Sequence, residues 1–271
     1  SMKRAQSVFE LPKSMYGTIT AGKINCGEGI TFATVQTLSK IDLGAYRNHW
    51  DVIIVGEAQH AAGSPTKVTQ FYKVISRLSA RYKVGLTATP KRADGLEKAM
   101  FALLGDVAYE VSRADVAHTT CPVRVRIVQT GYKPEYNAVL LGDGTLDYNA
   151  LINDLIGDPD RFKMVRDVIN SLDGATMVLA NRVDYIERLS QEYDGKAVCL
   201  STLGASKAAK EQRKEVLRKL DCGEIDAIFA TYQLAKEGLD VPNLRYVVFA
   251  TPEKDSTTVI QSAGRVGRKA E

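Results

Sequence analysis

Short apolar runs rich in β-branched residues recur at 29–34, 52–55, 83–87, 123–129, 175–180, 197–201, 227–230 and 246–250, with longer mixed segments between them. Runs of this length, apolar at successive positions, predict strands covered on both faces. The intervening segments carry a helical period. Residues 66–80 set Val68, Phe71, Val74, Ile75 and Leu78 on one face, and 160–172, 182–193 and 206–221 repeat the pattern. Strand and helix in alternation predict an α/β fold of βα units on parallel sheets. The segment 206–221 also holds many lysines and arginines around Val216, Leu217 and Leu220. A solvated outer face accounts for them better than a DNA-binding ridge does.

The pattern breaks near residues 112–122, between the last strand of one sheet and the first of the next, and Gly142-Asp-Gly144 marks a turn. A length of 271 residues accommodates two domains, each with a core. Hydrophobic residues make up 45% and charged ones 25%, the balance of a globular chain rather than a disordered one. No apolar run approaches the roughly 18–20 residues that span a membrane, and no charged-then-apolar leader opens the sequence, so a cytoplasmic setting is the default expectation. Cys26, Cys121, Cys199 and Cys222 form no C-x-x-C pair, and His49, His60 and His118 are scattered. Free thiols are therefore expected, and no metal site. The net charge of +4 is too small to announce nucleic-acid binding, although residues 1–115 carry fifteen basic against ten acidic side chains.

Candidate chemistry gathers in a few strings. The chain ends in Gln261-Ser-Ala-Gly264-Arg265-Val-Gly267-Arg268, two guanidinium forks three residues apart among glycines. Such forks suit a phosphate whose charge builds during transfer. Upstream stand Thr31-Phe-Ala-Thr34-Val-Gln36, Val52-Ile-Ile-Val-Gly56-Glu57-Ala-Gln59-His60, Thr87-Ala-Thr89-Pro90, Thr176-Met-Val-Leu-Ala-Asn-Arg182 and Thr231-Tyr-Gln-Leu-Ala-Lys-Glu-Gly238-Leu-Asp240. In this order they resemble the motifs of superfamily 2 helicases. The likeness is to the branch with a DEAH-type box that holds phage and repair helicases and restriction-enzyme motor subunits, and it runs through nearly the whole chain.

The resemblance implies two RecA-like parallel-sheet lobes, the first incomplete, over residues 1–115 and 116–271. It implies ATP-driven movement on or unwinding of nucleic acid, with DNA the expected substrate and ATP with Mg2+ the cofactors. Glu57, Gln59, Arg265 and Arg268 take the catalytic places, with Arg268 as the finger. Gly238, Asp240 and Gln261 take the nucleotide-binding places. Thr87 and Thr89 would couple the lobes, and Thr34, Gln36, Arg182, Thr202 and Thr231 would contact the nucleic-acid backbone. Two departures stand out. No G-x-x-x-x-G-K-[ST] phosphate loop occurs, and Gly56 stands where the family's metal-holding aspartate should follow its strand. The loop would lie upstream of Ser1, so a truncated motor with little or no turnover is expected. Its first sheet would have a gap that closes up or is filled by self-association or a partner chain. The alternative is a non-catalytic nucleic-acid- or partner-binding remnant of a phage helicase.

Overall fold

The computed structural model describes residues 2–61, 68–88, 90, 95, 97–112, 114–116, 118, 121–204, 206–236, 239 and 241–266. The chain divides into two units, Ser1–Glu110 and Val111–Glu271. In the first, α1 (Met2–Phe9) precedes β1 (Tyr16–Thr20), β2 (Lys23–Asn25), β3 (Ile30–Ala33) and α2 (Val35–Leu38). After these come β4 (Val52–Gly56), α3 (Gln70–Ile75), β5 (Tyr82–Leu86) and α4 (Glu97–Leu104). The second unit runs through α5 (Tyr136–Val139), α6 (Tyr148–Gly157), α7 (Pro159–Asn170), β6 (Thr176–Ala180), α8 (Val183–Gln191) and β7 (Ala197–Cys199). It continues with α9 (Lys207–Asp221), β8 (Ala227–Thr231), α10 (Tyr232–Lys236), β9 (Tyr246–Phe249) and α11 (Ser256–Ala263).

The second unit is a four-stranded, all-parallel sheet in the order β7-β8-β6-β9. Its central strands are buried on both faces, as their continuous apolar runs predict. Alternate residues of β6 divide the core between two layers. Met177 and Leu179 pack with Ile228, Leu220 and Leu234. Val178 and Ala180 pack with Phe229, with Phe162 and Ile169 of α7, and with Ile186 and Leu189 of α8. Helix starts follow local capping chemistry. Asp147 opens α6 by accepting from Asn149 N and Ala150 N, Asp158 opens α7 ahead of Pro159, and Ser206 opens α9.

The first unit holds two smaller sheets. β1 pairs antiparallel with β2 and parallel with β3. The tight β1–β2 turn has Ala21 and Gly22 both at positive φ, 50° and 77°, the twist a two-residue hairpin needs. β4 and β5 form a parallel pair with Gly56 opposite Leu86. One face of that pair packs on Ile75, Met100 and Ala61 through Ile53 and Val55. Gly85 permits this approach, since a Cβ there would lie 2.9 Å from Leu104 Cδ1. The other face, made of Val52, Ile54, Tyr82, Val84 and Leu86, is 42% to 65% exposed.

Several expectations change. Residues 123–129 form no strand, and Val125 and Ile127 are exposed. Alternating Val and Arg supplies strand propensity there, but no neighbour among the described residues takes up the backbone hydrogen bonds. The helix expected over 66–80 spans only Gln70–Ile75, opened by the Thr69 hydroxyl accepting from Tyr72 N. The β1–β2 hairpin and helices α1, α4 and α6 add to the predicted elements. No helix among the described residues is long and apolar enough to cross a membrane.

Candidate nucleotide and nucleic-acid sites

Parallel strands deliver their carboxyl ends to one edge of a sheet, where open α/β folds place ligands. In the first unit, β4 and β5 bring Glu57 and Thr87 to neighbouring strand ends, because Gly56 pairs with Leu86 one residue earlier. A short turn, Ala58–Ala61, follows Glu57 and folds Gln59 back against it. The Thr87 hydroxyl donates to Gln59 Oε1 at 2.6 Å, and Gln59 Nε2 donates to Glu57 Oε2 at 2.7 Å. Both ends of the buried Gln59 amide are thus engaged, one by a hydroxyl and one by a carboxylate. Glu57 adopts φ 52°, a left-handed conformation that costs a non-glycine residue about 1–2 kcal/mol. The bond from Gln59 helps hold it there.

Gly56 supplies no side-chain oxygen to this edge. A Cβ built on it would meet no atom within 4 Å, so the first atom of a longer side chain has room. Thr34 and Gln36 sit at the end of β3 and in α2, both exposed. The Thr34 hydroxyl donates to Thr37 Oγ1 at 2.9 Å. Thr89 lies outside the described residues.

In the second unit the same logic gathers Arg182, Thr202 and Thr231 along one carboxyl edge. Thr231 ends β8, its backbone N–H donating to Ser201 Oγ at 2.9 Å and its hydroxyl accepting from Leu234 N. Thr202 is exposed in the turn after β7 and donates to the Cys199 carbonyl. Burial pushes the neighbouring Cys199 thiol above its ordinary pKa. Arg182 opens α8, with Nε donating to Asn153 Oδ1 at 3.1 Å and Nη2 to Asn149 Oδ1 at 3.2 Å.

Arg265 lies just beyond α11. Its Nη2 donates to the Ala235 carbonyl at 3.0 Å and its Nη1 to the Leu239 carbonyl. The fork expected to face a phosphate is committed here to backbone, bracing the segment that follows β8. Gln261 is half-buried on α11. Gly238, Asp240 and Arg268 lie outside the described residues.

Motif reading passed over several groups that share this edge. Thr251 is buried, accepts from Asn181 N at 2.9 Å and donates to Asn181 Oδ1 at 2.5 Å. Tyr232 donates to the Thr251 carbonyl, and Tyr148 to the Pro252 carbonyl at 2.6 Å. Their common signal is position: each falls immediately after a strand or at a helix start. The available chemistry is that of hydroxyls, amides and a few cations, suited to a sugar-phosphate backbone rather than to base edges.

Comparison with known proteins finds helicases and restriction-enzyme subunits. The model "Helicase conserved C-terminal domain" matches residues 160–270, and "Type III restriction enzyme, res subunit" matches 4–92. "Putative helicase 22" of Sulfolobus islandicus filamentous virus is 28% identical over 231 residues, covering 80% of this chain and 40% of the relative. "Probable helicase D10" of Escherichia phage T5 is 22% identical over 259 residues, covering 94% and 54%. The chain thus spans about half the length of these curated relatives. The fold resembles the fragment of a putative HsdR subunit of a type I restriction enzyme from Vibrio vulnificus. That likeness has a TM-score of 0.68 at 17% identity, over 95% of this chain and 48% of that one.

Proposed function

Because the chain belongs to superfamily 2 of the helicases, we propose that it is part of an ATP-dependent DNA helicase or translocase, and that alone it turns over ATP very weakly or not at all. The observation that carries this reading is the hydrogen-bonded file Thr87–Gln59–Glu57, which ends beside Gly56. A carboxylate held at a strand end by an amide and a hydroxyl suits a group that orients water near a phosphate.

ATP and Mg2+ are the cofactors the family implies, and the residues present fit them poorly. The sequence holds no G-x-x-x-x-G-K-[ST] string. Gly56 brings no carboxylate to the metal's water shell. Among the described residues no group of three or more His, Cys, Asp or Glu is arranged to hold a metal ion. Loss of each electrostatic contact to a developing charge costs roughly 100–1000-fold in rate. What the chain's own residues retain is a nucleic-acid role. Thr34 and Gln36 in the first unit, with Arg182, Thr202 and Thr231 in the second, are the proposed backbone contacts. In the same reading Arg268 is the finger, Asp240, Gly238 and Gln261 line the nucleotide, Arg265 braces the loop between them, and Thr87 and Thr89 couple the lobes. The lobes are residues 1–115 and 116–271. A second copy or a partner chain covers the bare face of β4 and β5.

Gly56 favours a second reading, a non-catalytic nucleic-acid- or partner-binding remnant of a phage helicase. Magnesium-dependent ATP hydrolysis, with and without single-stranded DNA, tests both readings on the parent chain, Gly56→Asp and Arg268→Ala. The expected result is no turnover from any of the three, with DNA binding retained. DNA-stimulated turnover abolished by Arg268→Ala would overturn the inactive state and make this a working motor. Absence of any DNA or RNA binding would leave only the partner-binding reading.

A further inference from the structure

We propose that the first turn of α6, together with Lys254, forms an additional contact for a nucleic-acid backbone, in which Asn149 and Asn153 are positioning residues for Arg182. This rests on the reading that the second unit binds nucleic acid. Asn149 and Asn153 are four residues apart and so share one face of α6. Their two amide oxygens take the Nε and Nη2 donors of one edge of the guanidinium. Among the described residues nothing accepts from Nη1, and no carboxylate pairs with Arg182. The choice of acceptor matters. An acid at either position would hold the fork more firmly but would neutralise it, and a charge already paired gains less from a phosphate. Neutral amides fix the direction and leave the charge available.

A second cation lies at the same turn. Lys254 Nζ sits 3.9 Å from the ring centroid of Tyr148, the residue before Asn149. Tyr148 is fixed in turn by its hydrogen bond to the Pro252 carbonyl. A ring face holds an ammonium without consuming its hydrogen-bond donors. Burial raises the Tyr148 phenol's pKa, Glu253 adds to the rise, and Arg182 opposes it. The acids nearest this turn are engaged by backbone rather than by Arg182 or Lys254: Glu253 Oε1 accepts from Asp255 N at 3.0 Å, and Asp147 Oδ1 from Asn149 N and Ala150 N. Two cations without carboxylate partners, spaced by amides next to the carboxyl edge that bears Thr231 and Thr202, match a run of phosphodiesters. An acidic protein surface would be matched better by flexible cations than by one locked edge-on.

The test is fluorescence anisotropy of a labelled single-stranded oligothymidine on the full chain across a salt series. The variants are Asn149→Ala with Asn153→Ala, Asn153→Asp, Lys254→Gln, and Lys210→Gln on α9 as a control. The alanine pair should weaken binding about 3- to 10-fold, the scale of one or two hydrogen bonds. Lys254→Gln should reduce the slope of log K against log salt by about 0.7, the value for one lost phosphate contact on a single strand. Asn153→Asp should also weaken binding although it grips Arg182 more firmly, which a purely structural role would not produce. Lys210→Gln should bind like the parent. If the parent binds and Asn153→Asp and Lys254→Gln bind equally well, the proposal is overturned while the nucleic-acid reading stands. If the parent binds neither the oligothymidine nor an oligouridine, both fall together.

Discussion

At the scale of single residues, Gln59 concentrates the most consequence in the fewest atoms. It is buried, and its amide joins Thr87 to Glu57. Gln59→Leu removes a donor from a carboxylate and an acceptor from a hydroxyl at once. It should cost the first unit about 1–3 kcal/mol. The chain's one tryptophan, Trp50, stacks on Tyr46 within that unit, so its fluorescence in a urea titration reads the loss directly. An unchanged midpoint would mean that the amide carries no net stability. The placement of these three residues was legible because the spacing puts Glu57 just past one apolar run and Thr87 at the end of another. The backbone commitment of Arg265 was not. Its acceptors are carbonyls 30 and 26 residues away, and a carbonyl leaves no mark in a sequence.

At the scale of elements, strands buried on both faces declared themselves and paired edges did not. β6 and β8 read as continuous apolar runs because helices cover both their faces. The β1–β2 hairpin lacks such a run, since all three residues of β2 are exposed. Residues 123–129 show the converse error, strand-like alternation without a partner strand. Arg161 shows how elements are fastened in a way no period reveals. It is buried on α7, with Nη2 donating to the Ala250 carbonyl after β9 at 2.6 Å and Nη1 to the Tyr185 hydroxyl of α8 at 3.1 Å. Arg161→Leu leaves both acceptors buried without this donor and should destabilise the second unit by about 2–4 kcal/mol. Near-ultraviolet circular dichroism on heating would report it as a lower melting temperature. No shift would show that the surrounding apolar contacts suffice.

At the scale of the molecule, the four apolar clusters divide two and two between the units. One unit has a sheet covered on both faces, while the other leaves a face of β4 and β5 bare. Denaturant should therefore unfold the chain in two steps, the Trp50 signal changing before the bulk of the helical signal. Coincident curves would contradict this. Alkali acts on the second unit. Burial raises the pKa of the Tyr185 and Tyr232 phenols above the ordinary value near 10, so the folded state keeps protons that the unfolded chain releases. Stability from this source is complete below about pH 10 and declines as pH climbs beyond it. Guanidinium midpoints measured from pH 7 upward should show the decline, and Tyr232→Phe should flatten it.

The empty space beside Gly56 has a meaning in heredity as well. Half of the glycine codons become aspartate codons by one change at the second base. A β-carbon placed there meets nothing within 4 Å among the described residues, so the backbone at this position does not itself bar the change. A lineage could lose this carboxylate and regain it in single steps, each through a folded intermediate visible to selection.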